Sequence, residues 1–112
     1  MRLFVLTFLT FLFQLSQAQV FNMGDASSTT ECAGTLYDSG GPNGNYWIFE
    51  DLTFTICPSE PFECLAINLE EYDTEFNSDF ITFYAGTNTN APQIGQFSGI
   101  GQNINYELPN GC

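Results

Sequence analysis

The chain has 112 residues, of which 13 are Asp or Glu, one is basic (Arg2) and none is histidine. This length allows one domain and is too short for two. Direct binding to nucleic acid is excluded, because phosphate contacts need Lys or Arg side chains. Mechanisms that need an imidazole are excluded too. Aromatic residues make up 16% of the chain, which is not a disordered composition.

Residues 1–18 have the pattern of a secretory signal peptide. Arg2 gives a positive start, Leu3 to Phe13 is mostly apolar, and Ser16-Gln17-Ala18 is a small-x-small cleavage site. The apolar stretch of about 11 residues is shorter than the roughly 20 that span a bilayer. We therefore expect a secreted, extracellular protein that starts at Gln19 and has no membrane span after cleavage. Its 13 acidic and zero basic residues then give a net charge of −13.

Secretion also decides how the four cysteines are interpreted. In an oxidising compartment, cysteines are expected to form disulfides rather than metal sites. The absence of a C-x-x-C spacing and of histidine favours the same interpretation. Four cysteines allow three connectivities, and the sequence does not choose among them. The cysteines are Cys32, Cys57, Cys64 and Cys112.

The remaining sequence consists of short apolar segments between turns. Residues 19–31 are polar and predict an extended lead-in, and residues 70–79 are acidic and irregular. Alternating apolar and polar residues, or short runs of β-forming residues, predict strands at Leu52–Ile56, Leu65–Leu69, Phe80–Tyr84, Ile94–Phe97 and Ile104–Leu108. No stretch has a sustained helical period, so we predict an all-β sandwich.

One loop carries motifs that imitate protease active sites. Asp38 to Pro42 copies the nucleophile segment of chymotrypsin-like proteases, but their serine needs a histidine as base. Asp38-Ser39-Gly40 also resembles a half-site of a dimeric aspartic protease, but only Leu36-Tyr37 precedes it where a hydrophobic strand is expected. Thirteen carboxylates guarantee pairs at glycosidase spacing, so such pairs are uninformative. We expect that the protein is not an enzyme.

The order and spacing of several motifs resemble the CUB domain, an extracellular β-sandwich of jelly-roll type. The resemblance extends from Cys32 to Cys112, and this segment is similar to the CUB-like modules of secreted bacterial proteins. Ala85 stands where the family's Asp-x-Leu-x-Ile-x-Asp-Gly signature has its second Asp. The segments that carry the resemblance are Cys32–Leu36, Ser39–Tyr46, Leu65–Leu69, Tyr72–Glu75, Asp79–Gly86 and Gly95–Gly99.

The resemblance implies an antiparallel jelly-roll sandwich over residues 32–112, incomplete at the C-terminus. We therefore expect a fragment of a longer secreted protein. It also implies a disulfide between Cys32 and Cys57. Cys64 and Cys112 form a possible second pair, or they await a cysteine beyond the present sequence.

Many members of this family hold one calcium ion between loops at one end of the sandwich. The resemblance places calcium ligands at Glu75 and Asp79, with Tyr46 orienting the glutamate. Calcium prefers six to eight oxygen ligands, which flexible loops provide well. The alternative interpretation is that Glu75 and Asp79 are solvated loop acids.

The family consists of binding and assembly modules. We therefore expect calcium-dependent recognition of another protein, whose basic side chain the carboxylates would attract. One alternative is a carbohydrate-binding module, because exposed aromatic rings stack on sugars. The other is a structural spacer in a multidomain secreted protein. The candidate sugar-stacking residues are Tyr46, Trp47, Tyr72 and Tyr84.

Overall fold

A computed structural model describes residues 19–31, 33–60 and 63–109. These ranges contain strands and no helix, as expected for an all-β protein. The strands are β1 (Gln19–Asn22), β2 (Ser28–Thr29), β3 (Gly34–Tyr37), β4 (Thr55–Ile56), β5 (Leu65–Asp73), β6 (Ile81–Tyr84), β7 (Gln93–Phe97) and β8 (Ile100–Leu108). The predicted signal peptide lies outside the described ranges. No helix within them is long and apolar enough to cross a membrane.

The predicted strands are present, but several have different bounds. β4 is shorter than predicted, and the polar lead-in contains β1 and β2. The acidic stretch 70–79, predicted to be irregular, begins as part of β5. The backbone of this β5 segment pairs with β8, while Glu70, Glu71 and Asp73 lie in solvent. Backbone pairing therefore extends the strand beyond its apolar alternation.

The N-terminal part contains two parallel strand pairs, which differ from the antiparallel pairing that we predicted. β1 pairs with β3, and β2 pairs with β4. Residues 23–33 connect β1 to β3, and this connection is close to the roughly dozen residues that a parallel crossover needs. The rings of Phe21 and Phe54 lie 5.8 Å apart and join the two pairs.

The C-terminal part contains two antiparallel pairs, β5 with β8 and β6 with β7. β5 and β8 each have nine residues. Leu65, Ile67 and Leu69 alternate with exposed residues on β5, as the sequence predicts, and are half-buried. The cross-strand partner of Leu69 is Ile104. This half-buried stripe is the apolar face of the longer pair.

Four aromatic rings join the two antiparallel pairs. Phe97 contacts Tyr72, Phe83 and Tyr106, with ring centroids 5.9, 6.2 and 6.5 Å apart, respectively. Phe83 and Tyr106 also contact each other at 5.2 Å. No hydrophobic side chain is fully buried within the described ranges. The ring cluster is therefore a principal apolar contact of this part of the fold.

We expect Phe97→Ala to lower the free energy of unfolding by about 2 kcal/mol, less than the roughly 3–5 kcal/mol typical of a buried Phe. The effect is smaller because Phe97 is only half-buried. Urea unfolding of the full chain measures it. Phe49→Ala is the matched control, because the Phe49 side chain is fully exposed. Equal effects of the two changes would contradict the structural role of the ring cluster.

Candidate functional site

The structure brings together the three residues predicted for the calcium site. The phenol of Tyr46 donates a hydrogen bond of 2.6 Å to Oδ2 of Asp79. The backbone N–H of Glu75 donates to the same phenol oxygen at 3.4 Å. One hydroxyl group therefore links the loop that follows β3 to the turn between β5 and β6. Tyr46 contacts the carboxylate of the aspartate and the backbone of the glutamate, whereas the resemblance implied that it orients the glutamate side chain.

The turn that carries Glu75 and Asp79 is closed by its own hydrogen bonds. The N–H groups of Ser78 and Asp79 donate to the carbonyl of Glu75 at 3.1 and 3.0 Å. Thr74 donates its hydroxyl to the carbonyl of Asp79 at 3.0 Å. Its backbone N–H donates to Gly99 at 2.8 Å, and its hydroxyl accepts from the N–H of Gly99 at 2.9 Å. These bonds fix the turn against the start of β8.

The two carboxylates have different surroundings. Asp79 is half-buried, whereas Glu75 is exposed. Tyr46 occupies one oxygen of Asp79. Within the described ranges, no donor contacts the other oxygen of Asp79 or the carboxylate of Glu75. These oxygens can therefore accept water or coordinate a cation.

The acidic surroundings raise the pKa of the Tyr46 phenol above its ordinary value of 10.0. The largest cause is the hydrogen bond to Asp79, because an anionic acceptor favours the protonated phenol. The N–H of Glu75 acts in the opposite direction by stabilising the phenolate. Burial and the negative charges of both carboxylates raise the pKa further. Tyr46 is therefore a hydrogen-bond donor throughout the neutral pH range.

The donor set matches calcium in type. Carboxylate and carbonyl oxygens are the hard ligands that calcium prefers, and water completes its shell in many sites. No cluster of three or more Asp, Glu, Cys or His side chains that could hold a metal occurs in the ranges that the structure describes. Glu75 and Asp79 would therefore supply two carboxylates, with carbonyl groups and water as the remaining ligands.

The loop from Asp38 to Glu50 is held at both ends. The hydroxyl of Ser39 donates to Glu50 at 2.6 Å, and the N–H of Gly40 donates to Asp38 at 2.8 Å. Gly40 lies so close to the carbonyl of Asn45 that a side chain would clash. The serine and glycine of the protease-like motif thus have structural roles in this loop.

An exposed apolar segment follows Tyr46 directly. We call Trp47, Ile48 and Phe49 the apolar tip; their side chains are 72%, 79% and 100% exposed. Phe49 has a φ of 62°, which is unusual for a bulky residue. Sequence reasoning singled out Trp47 but not the tip as a unit. The available signal was three large apolar residues inside a loop rich in Gly and Asn.

The candidate sugar-stacking residues do not all have an open ring face. Trp47 is exposed, but Tyr72 and Tyr84 are half-buried. The Tyr72 ring packs against Phe97 and also covers Gly101, its cross-strand partner. Trp47 is therefore the most accessible ring of this set.

The cysteines are only partly described. Cys57 is disulfide-bonded. Its predicted partner, Cys32, lies outside the described ranges, so the pairing stays a prediction. Cys64 is a free, exposed thiol whose Sγ lies 3.7 Å from the carbonyl oxygen of Pro109. Because Cys64 is free, the possible pair of Cys64 with Cys112 is not formed. Cys112 lies outside the described ranges, so its bond to a cysteine beyond the present sequence stays a prediction.

No family model matches this chain, and no solved structure gives a significant match. The interpretation as a CUB-like module therefore depends on the sequence motifs and on the contacts of Tyr46.

We expect Asp79→Asn to lower the pKa of Tyr46 toward its ordinary value, because the anionic acceptor is lost. Since folding raises this pKa, the contact stabilises the fold below pH 10 and is lost as the pH rises through the raised value. Tyrosinate absorbance during alkaline titration measures the change, with Tyr46→Phe identifying the Tyr46 component. Asp73→Asn is the control, because Asp73 is exposed and does not contact Tyr46. An unchanged Tyr46 titration in Asp79→Asn would contradict the contact.

Proposed function

We propose that the chain is part of an extracellular binding module of CUB-like jelly-roll type, in which Glu75 and Asp79 hold calcium. The observation that carries the proposal is the hydrogen bond between Tyr46 and Asp79. These residues are 33 positions apart, and the motif resemblance assigns both to the same site. Their contact supports the assignment because it requires the first loop to meet the acidic turn.

The charge of the chain supports an external cation at this site. With Arg2 in the predicted signal peptide, no Lys or Arg remains in the rest of the sequence to neutralise Glu75 and Asp79. Tyr46 holds Asp79 through a neutral donor, which leaves the carboxylate its negative charge. Calcium, when bound, supplies positive charge and joins ligands from separate parts of a loop site. The turn hydrogen bonds of Thr74 and Ser78 would preorganise those ligands.

The proposed activity is calcium-dependent binding of a partner protein that presents a basic side chain. The negative net charge of the chain attracts such a partner over a range set by ionic strength. Carbohydrate binding is the second candidate, and the exposed ring of Trp47 favours it. A structural spacer is the third interpretation, and it needs no ligand at the acidic turn or at Trp47.

We expect the full chain to bind calcium and both Glu75→Gln and Asp79→Asn to lose most of that binding, because each removes a charged ligand. Titration calorimetry of calcium into metal-free protein measures the effect. Glu60→Gln is the matched control, because Glu60 is an exposed acid outside the turn between β5 and β6. Absence of binding heat at millimolar calcium, or unchanged binding by Glu75→Gln, would refute the calcium site.

Two further measurements connect calcium binding to the fold. A ligand that binds only the folded chain stabilises it, by about 2.7 kcal/mol at a concentration one hundred times its Kd. Calcium should therefore raise the unfolding midpoint of the chain and have little effect on Glu75→Gln. Binding should weaken at acidic pH, because a carboxylate must be ionised to coordinate the metal.

A further inference from the structure

We propose that the apolar tip, Trp47, Ile48 and Phe49, is the anchor for a partner protein segment that carries apolar side chains flanked by Lys or Arg. This inference deepens the proposed function by naming a contact surface and a partner chemistry. It rests on the interpretation of the chain as a binding module, but it does not require calcium at Glu75 and Asp79.

The exposure of the tip is the first argument. Single exposed apolar residues are common on protein surfaces, whereas contiguous ones mark binding sites. Here three large apolar residues are consecutive, and all have most of their surface in solvent. Tryptophan is among the residues most enriched at the energetic centres of protein interfaces. A partner that covers Trp47 and Phe49 would remove a large apolar area from water.

The loop also holds the tip in place. Tyr46, immediately before the tip, is hydrogen-bonded to Asp79. Glu50, immediately after it, accepts a hydrogen bond from Ser39. One end of the tip is therefore tied to the acidic turn and the other to the start of its own loop, which lowers the conformational entropy lost when a partner binds.

The charges around the tip identify the partner chemistry. Glu50 and Asp51 follow the tip in sequence, and Tyr46 connects its other end to Asp79 and Glu75. No Lys or Arg lies in the described part of the chain. A segment with Lys or Arg beside apolar residues complements this arrangement, because their aliphatic stems pack on apolar surface and their charges reach the carboxylates. A cation over the Trp47 ring adds a further attraction.

The same charges disfavour a membrane as the occupant. Anionic lipids give membranes a negative surface potential that attracts basic segments. The acidic residues beside the tip, Glu50 and Asp51, would be repelled by it. A basic protein segment has no such penalty.

The fluorescence of Trp47 reports binding at the tip directly, because this residue is the single tryptophan of the chain. The probe is a synthetic peptide of alternating Leu and Lys that contains no aromatic residue. We expect it to shift Trp47 emission to shorter wavelength, saturably, and to slow acrylamide quenching. Matched peptides with Glu in place of Lys, or Ser in place of Leu, should bind at least tenfold more weakly. Vesicles of phosphatidylcholine, with or without phosphatidylserine, should produce no shift.

Matched variants test the apolar side chains of the tip at constant charge and the acidic residues beside it separately. Phe49→Ser should weaken binding of the Leu/Lys peptide at least fivefold while leaving the Trp47 reporter in place. Val20→Ser removes another exposed apolar side chain, on β1, and should leave affinity unchanged. Glu50→Gln combined with Asp51→Asn should weaken binding and reduce its dependence on salt.

Three results would overturn the inference: unchanged affinity of Phe49→Ser, equal binding of the Lys/Ser peptide, or an emission shift with vesicles alone. The last result would identify a membrane contact instead. Each titration is done with calcium and with a chelator. Peptide binding without calcium binding would refute the metal site alone, and calcium binding without peptide binding would refute the tip alone.

Discussion

The hydrogen bond from Tyr46 to Asp79 connects the two parts of this fold. β1 to β4 pair only among themselves, and β5 to β8 do the same. Among the described residues, the side-chain hydrogen bonds that cross between these parts both involve the Tyr46 phenol. One hydroxyl group therefore contacts both the aspartate and the glutamate of the acidic turn. Replacing that donor would remove both of these hydrogen bonds.

The same bond illustrates how this protein holds carboxylates without cations. Asp79 accepts from a phenol, Glu50 from the hydroxyl of Ser39, and Asp38 from the N–H of Gly40. Neutral donors satisfy the oxygens and fix their positions, but they leave the negative charge uncompensated. An ion pair would fix the carboxylate and also neutralise its charge. The structure thus combines fixed acidic side chains with an unneutralised field, which is the electrostatic condition for binding a cation or a basic partner.

The sequence predicted features that depend on local pattern. Leu65, Ile67 and Leu69 alternate because one face of β5 is half-buried, and that period is visible without a structure. The continuation of β5 into Glu70–Asp73 was not predictable from the same pattern, because its backbone partner is β8, far along the chain. Parallel pairing of β1 and β3 has the same non-local origin.

In the candidate site, too, some features were predictable from the sequence and others depend on contacts between distant residues. The proximity of Tyr46 to Glu75 and Asp79 was predictable because the motif order carries long-range information, whereas alternation of residues does not. Calcium at these residues stays a prediction. The apolar tip was missed because Trp, Ile and Phe are usually buried, so their composition predicts packing. Only the contacts on both sides of the tip, at Tyr46 and Glu50, show a loop that is held while its apolar side chains lie in solvent.

Stability and ligand binding are closely connected in such a fold. The described strands bury no hydrophobic side chain completely, and half-buried contacts such as the ring cluster around Phe97 carry the packing. Small contributions are then a large fraction of the free energy of unfolding, which for most domains is only about 5–15 kcal/mol. Tyr46 lies immediately before Trp47 and holds Asp79, so the proposed calcium site and the proposed contact at the tip share one loop. If both ligands select the same arrangement of this loop, thermodynamic linkage requires each to strengthen the binding of the other by the same factor.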